Sequence, residues 1–211
     1  MDKGRILEYA EQLLADIFLA QSCLNCQKEL SSRIVNGEKI IHADFFYLAR
    51  SSFIYTGTMI LCKAFEDDDR NSPFSIFKIL IWLSNTVKLN KEQKATIANF
   101  ETELARLSPI IEKLKTQRDK FYAHNDKQLI DADCIEKLST LTQEEKENLI
   151  WFSIRFLSYV IGVCENNNAQ PTVLQKDLSA TALKSILRDL NQYHNAINQM
   201  KESYHKNHGE E

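Results

Sequence analysis

Glycine and proline are scarce, five and three in 211 residues, too few to punctuate the many tight turns that an all-β protein requires. Leu, Ala, Lys and Glu are plentiful, so the chain is expected to be mostly helix. Also missing is any uninterrupted apolar run of about 18 residues, the length that a membrane span needs, and no membrane partner is expected. Positive charge is not in excess either. A formal net charge of −3 and an isoelectric point near 6.0 set aside a protein that coats nucleic acid indiscriminately, because such binding is driven by Lys and Arg releasing counterions from phosphates. A local basic patch is compatible with this balance.

Cysteine is sparse and odd in number, five in all, and the chain opens MDKGRILEYAEQLL, an amphipathic helical pattern in place of a signal peptide. Reduced thiols in a cytoplasmic protein are the expectation. Cys23 and Cys26 have the two-residue gap of a zinc or redox pair, but no second pair or suitably spaced histidine completes a ligand set. They read as small core or surface residues of a helix, and no metal or cofactor is expected.

What is present is helical periodicity. From Arg5 to Leu30, Ile6, Leu7, Leu13, Leu14, Ile17, Phe18 and Leu24 follow the i, i+3, i+4 rule of one long amphipathic helix. Asn36-Gly37 between β-branched neighbours then predicts a short β-hairpin, or an ordered loop, near residues 33–41. From Ala43 to Phe65 the pattern is apolar nearly all round, as in a central helix buried on several sides. The acidic run EDDD closes it, with Pro73 at a first helical position and a short helix through Trp82 to follow. A fourth helix runs from about Lys91 to His124, kinked or interrupted at Ser108-Pro109. Thr142 and Glu145 form a capping box opening a strongly apolar helix to about Cys164. Finally Leu183, Ile186, Leu190, Tyr193, Ile197, Met200 and Tyr204 make a narrow seam over about 177–205, which packs along its own body or a second chain. The sum is a single all-α domain, 1–211, built as a bundle of five or six helices.

One residue interrupts this order. On the fourth helix the heptad stripe reads Ile97, Phe100, Leu104, Leu107, Ile111, Leu114, then Arg118, then Phe121. A guanidinium stays charged and is costly to bury alone, so either a carboxylate such as Glu66 or Asp67 meets it, or it faces a cleft open to solvent and ligand. His124 follows about 9 Å further along the axis on the flank of the stripe, and both side chains are placed to border one cleft.

These residues, Arg118, Asp119 and His124 in the spacing R-D-x4-H at a helix end, resemble the Arg-x4-6-His motif of HEPN-domain proteins, helical bundles that include metal-independent ribonucleases of toxin and phage-defence systems. The fuller RDKFYAHND, with the preceding helix ending in acids and the segment SPFSIFKIL, is most similar to the AbiU-type abortive-infection branch, over about Ala43 to Asp126, with a HEPN-like core expected at about 43–166. The resemblance implies an endoribonuclease in which His124 handles protons, Arg118 binds phosphate oxygens and Asp119 orients either one. It places Lys120, Tyr122 and Asn125, with Lys127, at the substrate. It also implies a homodimer whose two motifs line one groove, RNA as substrate, and an antitoxin or other defence-system protein as a further partner.

A second R-D-x4-H, Arg188-Asp189 to His194, lies opposite the C-terminal seam and reads as a solvated face. Two other function classes remain in view: a non-catalytic helical adaptor acting through protein contacts, and a nucleotide sensor, which has no glycine-rich phosphate loop in its favour. No G-x-S-x-G or H-E-x-x-H pattern occurs, and Cys134 lacks a placed base.

Overall fold

The computed structural model describes residues 2–35, 43–67, 74–119, 141–165 and 179–208. Of these, 91% are helical and none is in a strand. Six helices follow in order: α1 Lys3–Val35, α2 Ala43–Ala64, α3 Ile76–Thr86, α4 Lys91–Arg118, α5 Gln143–Cys164 and α6 Ser179–His208. Arg33, Ile34 and Val35, expected to open a hairpin, instead close α1, and residues 36–41 of that expectation lie outside the described residues. The caps explain where several helices start. Asn90 and Gln93 exchange side-chain and backbone hydrogen bonds of 2.8 and 2.9 Å ahead of α4, and Thr142 and Glu145 do the same ahead of α5 at 3.1 and 2.7 Å. α3 starts at Ile76, with the Ser75 hydroxyl accepting from the Lys78 N–H, while Pro73 lies outside the described residues. Pro109 does not interrupt α4. It stands on the exposed side, where water can satisfy the carbonyl that its missing N–H leaves unpaired.

The chain divides into two compact units. Met1–Gln21 and Tyr55–Lys176 form the first, whose centre is α5 with α3 and α4 packed against it. Phe100 of α4 meets Phe152, Phe156 and Tyr159 of α5 at ring-centroid separations of 6.1, 5.4 and 5.6 Å, and Phe65 reaches Phe152 at 6.3 Å. Phe65, Phe152 and Phe156 are almost wholly buried, each contributing about 1.5–3 kcal/mol of hydrophobic stabilisation. Among the described residues α5 alone is long and apolar enough to cross a membrane, yet 67% of its most apolar window is buried inside the protein, as in a core helix.

The second unit comprises Ser22–Ile54 and Asp177–Glu211. Leu30 of α1, Phe46 of α2 and Leu187 of α6 form its core, flanked by Phe53, Leu183 and Leu190. Arg50 donates from Nε to the Ser31 hydroxyl at 2.8 Å, and the Ser179 hydroxyl donates to the Ser22 carbonyl at 3.3 Å. The C-terminal seam is used only in part. Leu187, absent from the heptad count, is the buried residue, while Ile186, Tyr193 and Met200 stand 54%, 68% and 73% exposed. Leu183 and Leu190 of the predicted series pack with Leu187 against the core as one face of the helix, and the other half of the series, Ile186, Tyr193 and Met200, lies off that face. Cys23 and Cys26 are buried thiols within α1.

Candidate functional site

Two acids that follow α2 meet two cations in the last turn of α4. Glu66 accepts from Nη1 of Arg118, and Asp67 accepts from the Lys115 ammonium at 2.9 Å. Four residues before Glu66, the Cys62 thiol donates to the Leu114 carbonyl at 3.8 Å. The pairs 62 with 114 and 66 with 118 keep one offset, so the two segments run in the same sense. The sequence builds this junction locally: basic residues in the last turn of α4 offset its exposed carbonyls, and acids just past α2 supply the counter-charge.

Arg118 therefore answers both alternatives read from the sequence. An internal acid meets it, for Glu66 is 5% exposed. Yet its side chain remains 25% exposed, and its Nε donates to Asp119 at 2.8 Å. The hydrogen bond to Asp119 leads the influences that raise the guanidinium's pKa, Glu66 adds to it, and burial opposes it. A guanidinium has five N–H donors; among the described residues two are engaged, by Asp119 and Glu66. The group is oriented without being consumed.

The residue that α4 buries at this end is Gln117, which the sequence reading passed over. The interior line runs Ile97, Phe100, Leu104, Ile111, Leu114, Gln117, because a step of three from Leu114 serves a 3.6-residue helix as well as the step of four to Arg118. Gln117 is 2% exposed and neither of its amide atoms finds a hydrogen-bond partner among the described residues. An unsatisfied buried amide costs about 1–3 kcal/mol. Gln117→Leu, close in volume, is expected to raise the melting temperature by about 2–12 °C, at about 2–4 °C per kcal/mol for a chain of this length. A lower melting temperature in thermal denaturation would show that the amide has a partner.

Among the described residues, the other titratable groups near Arg118 serve the fold. Burial pushes the Cys62 thiol up to about 12, so it stays protonated and is no nucleophile. A cavity of about 280 Å³ beside Lys115 is bordered by Asp67, Glu101 and Glu112, which repel phosphate. The Lys115 hydrogen bond holds the Asp67 carboxyl below its usual range, and Lys113 does the same for Glu145. The sign follows directly: between the lowered folded pKa and the ordinary value the unfolded chain binds more protons, so stability rises with pH there. It is complete above the ordinary range near pH 4 and is lost as pH falls through the folded values. Denaturant titration at pH 6 and pH 3 is expected to show this loss, and a Lys113→Met/Lys115→Met variant is expected to show less of it.

Of the residues predicted from sequence, Arg118 and Asp119 are brought together; His124, Lys120, Tyr122 and Asn125, with Lys127, lie outside the described residues. Arg188 of the second motif pairs with Asp189 at 3.2 Å, both side chains more than 60% exposed, in line with a solvated face. Among the described residues no group of three or more metal-ligating side chains assembles.

No curated protein and no solved structure matches the chain. The HEPN_AbiU2 family profile, described as AbiU2, matches residues 4–184, a span reaching well beyond the 43–126 on which the resemblance was drawn and including most of α1. With an all-helical architecture and a match over most of its length, the chain belongs to the HEPN_AbiU2 family.

Proposed function

We propose that this protein is a metal-independent endoribonuclease of a phage-defence or toxin–antitoxin type system, acting in the cytoplasm as a homodimer, with RNA as substrate and an antitoxin or other defence-system protein as further partner. Membership of the family supports the reading. The observation that carries it is Arg118, a guanidinium fixed by Glu66 and Asp119 while its side chain remains 25% exposed. Cleavage in this reading breaks the bond from phosphorus to the 5′-oxygen. The 2′-oxygen attacks phosphorus, His124 takes its proton, the leaving 5′-oxygen gains one, and Arg118 neutralises charge on the non-bridging oxygens. The products carry a 2′,3′-cyclic phosphate and a 5′-hydroxyl. Two motifs at a two-fold axis would supply both the base and the acid.

Mass spectrometry of RNA fragments released by the purified protein in EDTA tests this. Cyclic phosphate ends that disappear in His124→Ala are expected; intact RNA under all conditions would overturn the proposal. The pairing of Arg118 with Glu66 is also what a structural ion pair presents, and it favours a second reading, a non-catalytic helical adaptor. Growth on expression in bacteria separates the two: arrest by the parent that is relieved in Arg118→Ala and His124→Ala belongs to the nuclease, equal growth of all three to the adaptor.

A further inference from the structure

The second unit contains a cavity of about 520 Å³ walled by one face of α6 and by Arg33 at the end of α1. Lys184, Arg188, Asn191, Gln192 and Asn195 recur along that face at helical spacing, on the opposite flank of α6 from the exposed Ile186, Tyr193 and Met200. Among the described residues that line it there is no carboxylate. Its cations also meet acids from outside: Glu29 pairs with Arg33 at 2.9 Å, in a mostly buried contact, and Asp189 with Arg188 at 3.2 Å, in an exposed one. An exposed pair is worth about 0–1 kcal/mol, so Arg188 is readily exchanged to a stronger anion. Lys184 makes no ion pair among the described residues.

We propose that this face of α6 is a docking groove for single-stranded RNA, in which Lys184 and Arg188 contact successive phosphates and the Asn and Gln amides hydrogen-bond sugar or base edges. The choice of RNA rests on the nuclease reading. The pattern suits it: cations spaced one turn apart follow a repeating backbone charge, and neutral amides with both donors and acceptors suit nucleotide edges. The groove reconciles a chain of net charge −3 with a polyanionic substrate, because a local row of cations suffices. It also gives the second R-D-x4-H segment a role without catalysis. His194 is half-buried on the core side of α6, away from Arg188, so the copy holds no reactive pair.

Fluorescence anisotropy with a labelled, single-stranded 2′-O-methyl oligoribonucleotide tests binding apart from cleavage, since the methyl group blocks attack by the 2′-oxygen. Lys184→Ala/Arg188→Ala is expected to weaken binding about tenfold at moderate salt. Its slope of log affinity against log salt is expected to fall by about 1.4, two contacts at about 0.7 each for a single strand. Cleavage of a dinucleoside monophosphate, too short to span a groove, is expected to be unchanged. Equal affinity and slope in the parent and the double variant would overturn the groove, as would no binding by the parent. Displacement of the oligonucleotide by poly-glutamate at equal charge concentration would overturn the choice of RNA in favour of an acidic protein partner. Binding that depends on Lys184 and Arg188 in a protein that cuts no RNA would leave the groove standing and sink only the nuclease reading.

Discussion

Arg118→Ala is expected to slow RNA cleavage by about 10²–10³-fold, the usual loss when one preorganised donor to the charged transition state is removed. His124→Ala is expected to lose about 10²–10⁴-fold, the usual contribution of a positioned acid or base. Single-turnover cleavage of a defined oligoribonucleotide measures both. Arg118→Lys sharpens the test. Lysine keeps the charge but lacks the planar fork that reaches Glu66, Asp119 and a phosphate together, so it is expected to recover little of the rate. The Arg118 side chain is 25% exposed while it bonds Glu66 and Asp119, and on the nuclease reading a phosphate approaches it without breaking the pair with Glu66. Full activity in Arg118→Ala would assign the residue to the fold alone.

How far the sequence foretold this arrangement depends on the kind of signal. Helix boundaries set by caps were legible because the capping atoms lie within four residues of one another: Thr142 with Glu145 marks the start of α5, and α4 starts at the expected Lys91. The apolar stripe of α4 was legible up to Leu114 for the same reason, since its period is local. Past that point the choice between Gln117 and Arg118 as the interior residue depends on how α2 meets α4, and periodicity carries no such information. Glu66 was legible as a candidate partner only by its charge and its place after α2. Likewise the heptad series on α6 marked an apolar helix but assigned Ile186, Tyr193 and Met200 to a contact that the described residues do not provide, whereas Leu187 faces the core. The basic row on α6 was visible as residues and not as a site, because its cavity also needs Arg33, more than 140 positions away.

The Glu66–Arg118 pair is expected to dominate stability at the end of α4. Removing one partner of a buried ion pair leaves the other charge uncompensated, at a cost of about 3–5 kcal/mol. Glu66 is 5% exposed, but the Arg118 side chain retains 25% contact with water, which discounts the loss in Arg118→Ala to about 2–3 kcal/mol. Glu66→Gln leaves Arg118 its bond to Asp119 and access to solvent, and about 1 kcal/mol is expected. The double variant Glu66→Gln/Arg118→Ala no longer buries a carboxylate that has lost its arginine and is expected to regain most of the loss, with a coupling energy of about 2–3 kcal/mol in a denaturation cycle. This cycle also resolves what the cleavage assay alone confounds. If the double variant melts near the parent and still cuts no RNA, the rate lost in Arg118→Ala comes from the missing guanidinium and not from a loosened fold. If stability and cleavage return together, the arginine serves only to neutralise Glu66, and catalysis must be sought elsewhere in the chain.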